Sequence, residues 1–189
     1  MRYMSEARDR LLDAAVEYAA HHGIGDLSLR QLATALGTSH RMLVYHFGSK
    51  EGLLVAVVRE VEARQRQFLA DLDGSLPPLE LGRKLWERLA DPAMWPYEKL
   101  FFEVYSQALR SRPHTAAMLD GVVESWVAPI ADLNVRHGVP PGDARALARL
   151  GVAVTRGLLL DLLATGDHEG VGEAMECFLR LYDNGTVSR

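Results

Sequence analysis

The sequence predicts an all-α protein of about nine helices. Apolar residues recur at spacings of three and four, which places them on one face of a helix. The interruptions contain glycine or proline and come at helix-length intervals, and no segment alternates apolar and polar residues as a strand would. With 189 residues, the chain is long enough for a substantial core, either in one compact domain or in a small head joined to a larger body.

Three helices, joined by short turns, are predicted in the first 47 residues. The first runs from Arg8 to His22 and ends before a glycine. Asp26 or Ser28 is the N-cap of the second helix, and Gln31 stands at capping-box distance from Ser28. The second helix ends at Gly37, which turns the chain, and a third short helix follows over residues 39–47.

The rest of the chain is predicted to form longer helices. Gly48 and Ser49 end the third helix, and Lys50 opens a long fourth helix. The next breaks are expected at Asp73–Ser75 with the two prolines that follow, Asp91–Pro92, Arg112–Pro113, residues 138–142 and residues 165–170. The eighth helix is expected from about Asp143 to Ala164 and the ninth from about Gly170 to Tyr182.

Composition indicates a soluble globular protein, for which we expect a cytoplasmic location. The most apolar run, residues 150–164, is short and contains Arg156 and Asp161, so we expect no membrane span. No apolar segment follows the basic residues at the N-terminus, so no signal peptide is predicted. The single cysteine, Cys177, cannot form an internal disulfide or a multi-cysteine zinc site, and no cofactor is expected.

Residues 27–50 predict a helix-turn-helix with a local basic face. The net charge is -4, but no Asp or Glu occurs in this segment. Ala33 and Gly37 are suited to the close crossing of two helices and the turn between them. Three leucines can fill the small core behind them: Leu32, Leu36 and Leu43. The outward face of the third helix, which would enter the major groove of DNA, is then formed by Ser39, His40, Arg41, Met42, Tyr45 and His46.

The stretch LSLRQLATALGTSHRMLVYHFGSKEGLL resembles the N-terminal signature of the tetracycline-repressor family of bacterial transcriptional regulators. The resemblance covers about Leu11 to Leu54, and RGLLLDLLATGD is similar to the eighth helix of many members. It implies a DNA-binding domain over residues 1–52 and a ligand-binding and dimerisation domain over residues 53–189. The expected partners are double-stranded DNA with a palindromic operator, a small-molecule effector and a second copy of the chain, with repression relieved by the effector.

The resemblance also assigns roles to single residues. Arg30 would contact a base or a phosphate, Tyr45 and His46 would lie at the groove wall, and Lys50 would meet a phosphate at the start of the fourth helix. Serine hydroxyls can hold phosphates as well. The complete predicted DNA-binding set is Ser28, Arg30, Ser39, His40, Arg41, Met42, Tyr45, His46 and Lys50.

One departure from the family pattern concerns the third helix. Where many members have Gly-Thr-Leu-Tyr before the His-Phe pair, this chain has Arg41-Met42-Leu43-Val44, and the tyrosine comes one place later as Tyr45. The usual phosphate-holding tyrosine position is therefore a valine. We expect Tyr45 to replace it imperfectly, and we expect Arg41 and Met42 to give the protein a non-standard operator.

The last two helices predict a dimer interface. The eighth helix is apolar nearly all round and needs neighbours on every side, while the ninth carries an apolar stripe. Together with the same pair from a second subunit they would form a four-helix interface with two-fold symmetry. The alternative is a central helix of a monomer. The expected interface residues are Leu150, Val154, Leu158, Met175, Phe178 and Tyr182.

Aromatic residues concentrate in the middle of the chain, where the family encloses a small-molecule pocket. Large rings with few polar tips suit an apolar or aromatic effector, although aromatics at helical spacing can equally be core residues. The expected pocket residues are Trp86, Phe102, Tyr105, Met118 and Trp126.

An enzyme and a helical protein-interaction module are the two alternatives to a DNA-binding regulator. An enzyme would need a catalytic or metal motif, and the chain has no His-Glu-x-x-His, no phosphate loop after a strand and no nucleophile elbow. A helical protein-interaction module would use the acid-free segment as a protein-binding surface. Salt dependence separates that module from a DNA reader, because phosphate binding weakens steeply as salt rises.

Overall fold

The computed structural model describes the backbone of residues 2–187 and the side chains of residues 6–182. Within this range the chain forms nine α-helices and no strand, which confirms the all-α prediction. The helices are α1 (Arg2–His22), α2 (Leu29–Ala35), α3 (His40–Phe47), α4 (Lys50–Asp71), α5 (Pro78–Ala90), α6 (Trp95–Leu109), α7 (Glu124–Arg136), α8 (Pro141–Thr165) and α9 (His168–Val187). Two 3-10 helices, Pro92–Met94 and Ala116–Leu119, flank α6.

Most helix ends lie within a few residues of their predicted positions. The largest difference is at α1, which begins at Arg2 rather than Arg8, because neither glycine nor proline interrupts the residues before Arg8. Pro141 belongs to α8, since proline fits the first turn of a helix, where its missing N–H is not needed. Among the described helices, none is both long and apolar enough to cross a membrane.

The chain divides into two compact units. The first unit comprises the residues up to Arg64 together with Ala93–Asp120, and the second comprises Gln65–Pro92 together with the residues from Gly121 onward. Helix α4 therefore contributes its first part to one unit and its last part to the other. The predicted functional boundary after residue 52 stays a prediction, because compactness does not show which segment binds DNA.

The first unit is held together by apolar packing and by polar contacts between distant segments. Leu53, Leu54 and Val57 of α4 are almost completely buried. The Tyr97 hydroxyl on α6 donates to the Val16 carbonyl on α1 at 3.1 Å. Arg64 forms ion pairs with Asp13 at 2.5 Å and Glu60 at 2.8 Å, and Arg59 donates to the Ala117 carbonyl.

The second unit has a core formed by helices α4, α7 and α8. Its buried members are Leu69, Trp126, Val127, Ala131, Ala148 and Val152. Arg83 on α5 forms an ion pair with Glu176 on α9. Arg156, one of the two charges that interrupt the apolar surface of α8, donates to the Val122 carbonyl at 2.8 Å, and the other, Asp161, is exposed.

A buried amide connects α7, α8 and α9 in the second unit. Asn134 is 3% exposed, and its Nδ2 donates to the Ala144 carbonyl at 3.1 Å. The same amide bonds to the Tyr182 hydroxyl, with Nδ2 at 2.8 Å and Oδ1 at 3.1 Å from Oη. Burial raises the pKa of the Tyr182 hydroxyl, so this group stays protonated.

We expect Asn134→Ala to lower the free energy of unfolding by about 1–3 kcal/mol, because it leaves buried polar partners without a hydrogen bond. The control is Asp132→Ala, an exposed residue on the same helix, which should change it by less than about 0.5 kcal/mol. Urea unfolding at one fixed protein concentration measures both values. Equal effects of the two substitutions would contradict a structural role for the amide.

Candidate nucleic-acid interface

Helix α2 begins with the capping box that the sequence predicts. The Gln31 backbone N–H donates to the Ser28 hydroxyl at 3.3 Å, and the Ser28 backbone N–H donates to Gln31 Oε1 at 2.8 Å. Two N–H groups that the helix leaves without backbone acceptors are thereby satisfied. The N-cap is thus Ser28, and the alternative start at Asp26 is excluded.

The turn between α2 and α3 is built from a glycine and a second cap. Gly37 has a φ of +63°, a left-handed conformation that L side chains rarely adopt. The Thr38 N–H donates to the Ala33 carbonyl at 2.9 Å. The Ser39 hydroxyl then accepts from the Met42 N–H at 3.2 Å and caps α3. These local bonds set the direction in which α3 leaves the turn.

The core behind the turn consists of the residues that the pattern placed there. Leu32 and Leu43 are fully buried, Ala33 is 3% exposed, and Leu36 is half-buried. The small side chain of Ala33 lets the two helices approach closely. Leu43 points into this core. The other residues of α3 are either exposed, on the outer face of the helix, or half-buried, as His46 and Phe47 are.

The outer face of α3 is basic and also apolar. His40 and Arg41 are exposed, and beside them Met42 is 38% exposed, Val44 39% and Tyr45 60%. Exposed apolar residues next to one another on a short helix form a candidate binding surface. No described residue from 27 to 50 is acidic, so the surface has no acidic side chain of its own.

The predicted DNA-binding residues differ in how available their polar atoms are. Ser28, Arg30 and Ser39 are exposed, although both serine hydroxyls already cap helices. His46 is half-buried, and its Nε2 is buried with no hydrogen-bond partner in the described part of the chain. Its ring lies edge-on to Tyr45, with 5.0 Å between the ring centroids. The roles of these residues toward DNA stay predictions.

Lys50 is bound within the protein. Its Nζ donates to the carbonyl of Gly25, in the turn between α1 and α2, and the side chain is half-buried. The contact ties the start of α4 to the turn that precedes the helix-turn-helix. An ammonium group has three N–H donors, so contact with a phosphate remains compatible with this bond and stays a prediction.

Three structural residues of this region were not found from the sequence. The Ser49 hydroxyl accepts from the Gly52 N–H at 3.0 Å and so stabilises the start of α4. A Cβ on Gly52 would lie 2.1 Å from the Phe47 backbone oxygen, so only glycine fits. Arg8 of α1 lies over the Phe47 ring, 5.3 Å from its centroid. Of these three residues, only Arg8 could have been found from the sequence. It precedes the buried Leu12 by one helical turn, and so both residues lie on the same face of α1.

The predicted pocket residues are divided between the two units. Phe102, Tyr105 and Met118 belong to the first unit, and Trp86 and Trp126 to the second. Met118 is 1% exposed and Trp126 8%, and the other three are half-buried. The effector pocket therefore stays a prediction. In the described part of the chain, no group of three or more His, Cys, Asp and Glu residues could hold a metal ion.

An open cavity of about 600 Å³ lies in the first unit, and none of the predicted pocket residues lines it. Apart from Pro113, the residues that line it are polar or charged: Glu51, Glu103, Ser106, Gln107, Arg110, Arg112 and His114.

The predicted interface residues also differ in exposure. Leu150 is 52% exposed, whereas Val154, Leu158 and Phe178 are half-buried. Met175 is only 2% exposed within its own protomer, and Tyr182 is half-buried and bonded to Asn134. Met175 thus has little surface to offer a partner, although the interface as a whole stays a prediction.

Exposed small and apolar side chains form a seam on α8 and α9. We name the α8 seam by its members: Ala146, Leu150, Ala153, Gly157, Leu160 and Ala164. The α9 seam consists of Gly170, Ala174, Cys177 and Leu181. Their spacings alternate between three and four, which keeps each seam on one side of its helix. Leu160 is 52% and Leu181 67% exposed.

Comparison with known proteins gives consistent findings. A family model described as bacterial regulatory proteins of the tetR family matches residues 11–57. The HTH-type transcriptional repressor AcnR of Corynebacterium glutamicum is 30% identical over 177 residues, covering 91% of this chain and 90% of AcnR.

The same fold occurs in solved structures. A transcriptional regulator from Rhodococcus sp. Rha1 superposes with a TM-score of 0.77 at 20% identity, covering 94% of this chain and 96% of that one. BioQ, solved with its double-stranded DNA operator, has a TM-score of 0.64 at 22% identity, with 96% and 98% covered.

We expect Gly52→Ala to destabilise the first unit by about 1–3 kcal/mol, because the added methyl group would overlap a backbone carbonyl that cannot move aside. The matched control is Gly142→Ala in α8, where a Cβ meets nothing within 4 Å. This control should be neutral or stabilise by up to about 1 kcal/mol. Thermal unfolding measures both, and a Gly52→Ala protein as stable as the wild type would contradict the close packing.

Proposed function

The chain belongs to the tetR family of bacterial regulatory proteins, and on that premise we propose that it is a homodimeric repressor that a small effector releases from a palindromic DNA operator. Family membership makes the chain a transcriptional regulator and not an enzyme. The observation that carries the proposal is the outer face of α3, where Arg41 is exposed beside Met42, Val44 and Tyr45.

This face has the chemistry for reading bases in the major groove. The guanidinium of Arg41 can donate two hydrogen bonds to the O6 and N7 of a guanine. Met42 and Val44 would meet thymine methyl groups, and such contacts would remove apolar surface from water. The operator-bound structure of BioQ, a neighbour of the same fold, supports DNA as the partner.

Phosphate contacts would orient the protein without reading sequence. Arg30 is exposed on α2, and the first N–H groups of α4 and the remaining donors of Lys50 lie at the other end of the helix-turn-helix. Because each neutralised phosphate releases counterions, binding should weaken strongly as salt rises.

The α8 seam and the α9 seam support a homodimer. A stripe of exposed alanine, glycine and leucine on two adjacent helices is costly to leave in water, and small residues allow close helix approach. A second copy with the same two seams would cover it in a symmetric four-helix interface. Two-fold symmetry would place two copies of α3 on two half-sites of a palindrome.

An effector would act through the difference in its affinity for two arrangements of the DNA-reading helices. Helix α4 supports such coupling, because it begins beside the helix-turn-helix at Lys50 and continues into the second unit from Gln65. A ligand that binds both arrangements equally well cannot change DNA affinity. Repression with release by the effector is the direction that we propose.

The first experiment is selection of the purified protein against a random DNA duplex library, followed by titration of the enriched sequence over a salt series. We expect an enriched palindrome and an affinity that falls steeply with salt. No enrichment, or salt-independent binding, would instead favour a helical module that binds protein.

We expect Arg41→Ala to change sequence selectivity as well as affinity, with a loss of about 5-fold to 150-fold for each half-site of the selected operator, because each subunit of the dimer would lose one bidentate base contact. Arg112→Ala is the charge-matched control, because Arg112 is exposed and lies outside the helix-turn-helix. Binding of the same sequence with unchanged affinity and selectivity by Arg41→Ala would refute the base contact.

We expect Leu150→Glu to weaken dimerisation at least about tenfold, because it places a charge in the proposed apolar interface. Leu109→Glu is the control, since Leu109 is 63% exposed on α6 of the first unit and belongs to neither the α8 seam nor the α9 seam. Sedimentation over a range of protein concentrations measures both. An unchanged dimer in Leu150→Glu would exclude the seam as the interface.

A further inference from the structure

Gln65 of α4 has a buried hydrogen-bond donor without an acceptor. The residue is 2% exposed and belongs to the second unit. Its Oε1 accepts from Arg88 Nε at 2.7 Å, but its Nε2 is buried and has no partner in the part of the chain that the structure describes. Buried polar groups in proteins are usually paired, so an orphaned amide donor points to a missing partner.

The orientation of this amide is determined by its neighbour. Arginine Nε always carries a hydrogen and cannot accept, so the atom of Gln65 that faces it must be the oxygen. Turning the amide over would bring two donors together. Nε2 therefore lies on the side of the amide away from Arg88 Nε, where it can donate to a further group.

Arg88 supplies a positive charge next to that donor. The side chain is half-buried on α5, and its guanidinium lies over the Phe68 ring, 4.6 Å from the ring centroid. Among the described residues no carboxylate pairs with it, and Gln65 is the acceptor that it uses. The Nη donors of Arg88 and the Nε2 of Gln65 thus supply several donors and one positive charge, and the Oε1 of Gln65 already accepts from Arg88 Nε.

Apolar residues adjoin this polar pair on both helices. Leu69 follows Gln65 by one turn of α4 and is buried in the core cluster that contains Trp126. Leu85 precedes Arg88 by one turn of α5 and packs against the same cluster. The charged and hydrogen-bonding pair therefore lies one helical turn from members of an apolar and aromatic cluster on both helices.

We infer that the effector is an amphipathic carboxylate, whose carboxylate group accepts hydrogen bonds from Gln65 Nε2 and Arg88 and whose apolar body lies toward Leu69 and Trp126. This inference rests on the proposed function, because it names the ligand class of the effector site. A carboxylate has two acceptor oxygens and a negative charge, which matches the two kinds of donor. A cation would be repelled by Arg88.

The test is isothermal titration calorimetry of the full-length protein with three matched pairs of probes. The pairs are octanoate and octanol, phenylbutyrate and phenylbutanol, and indolepropionate and indolepropanol. We expect at least one carboxylate to bind about tenfold or more tightly than its alcohol, because charge-assisted hydrogen bonds are the stronger ones. Failure of every carboxylate to bind better than its alcohol would overturn the inference.

A substitution that reverses the donor makes the test specific. Gln65→Glu replaces the orphaned donor with a second acceptor, pairs with Arg88 and should repel a carboxylate, so affinity for the preferred probe should fall at least about tenfold. The control Gln67→Glu adds the same charge at an exposed position two residues away and should leave affinity within about twofold. Equal affinities of the two variants would overturn the inference.

Three further measurements distinguish a folding defect from failure of the proposed function. Arg88→Met, a second variant, removes the charge but keeps an apolar stem over Phe68, and it should also lose the preference for carboxylate over alcohol. Thermal unfolding should show Gln65→Glu at least as stable as the wild type, because the new ion pair satisfies Arg88. DNA binding by probe-free Gln65→Glu tests the proposed function alone, and the preferred carboxylate should lower operator affinity in the wild type and not in this variant.

Discussion

The close crossing of α2 and α3 is the constraint on which the DNA-reading surface depends. Leu32, Ala33 and Leu43 form the buried contact, and burying each leucine contributes about 1.5–3 kcal/mol. So small a core cannot by itself fix the direction of a helix of eight residues. The caps at Ser28 and Ser39 and the left-handed Gly37 supply that direction, because they close the backbone hydrogen bonds on both sides of the turn.

Arg41, Met42 and Val44 on the outer face of α3 do not belong to this core. The buried contact on the inner face holds the helix, so these three side chains stay exposed on the surface of a small unit. The hydrogen bond from Lys50 to the Gly25 carbonyl connects the start of α4 to the turn before α2. A phosphate contact by Lys50 would then use a side chain that is already positioned, which lowers the entropic cost of binding.

The features that sequence reasoning predicted are the ones determined by residues close together in the chain. The capping box of Ser28 and Gln31, the turn at Gly37 and the inward Leu43 follow from local spacing and local hydrogen bonds. Contacts between distant segments could not be found in that way, because the periodicity of a helix gives its apolar face but not the partner of that face. Lys50 is the clearest case in the first unit, since its acceptor lies 25 residues away.

The same limit applies to α8 and α9, where apolar periodicity does not distinguish exposed positions from buried ones. Leu150 and Met175 both read as apolar helix positions, yet one is half exposed and the other is almost fully covered by its own protomer. Gln65 presents the opposite case, since a glutamine between two arginines at positions 64 and 66 reads as a solvated site and is in fact buried. The exposed fraction of a side chain thus decides how the residue is interpreted. Leu150 is exposed and apolar, so it forms a surface that a partner would cover. Gln65 is buried, so its unpaired amide donor calls for an acceptor from outside the described chain.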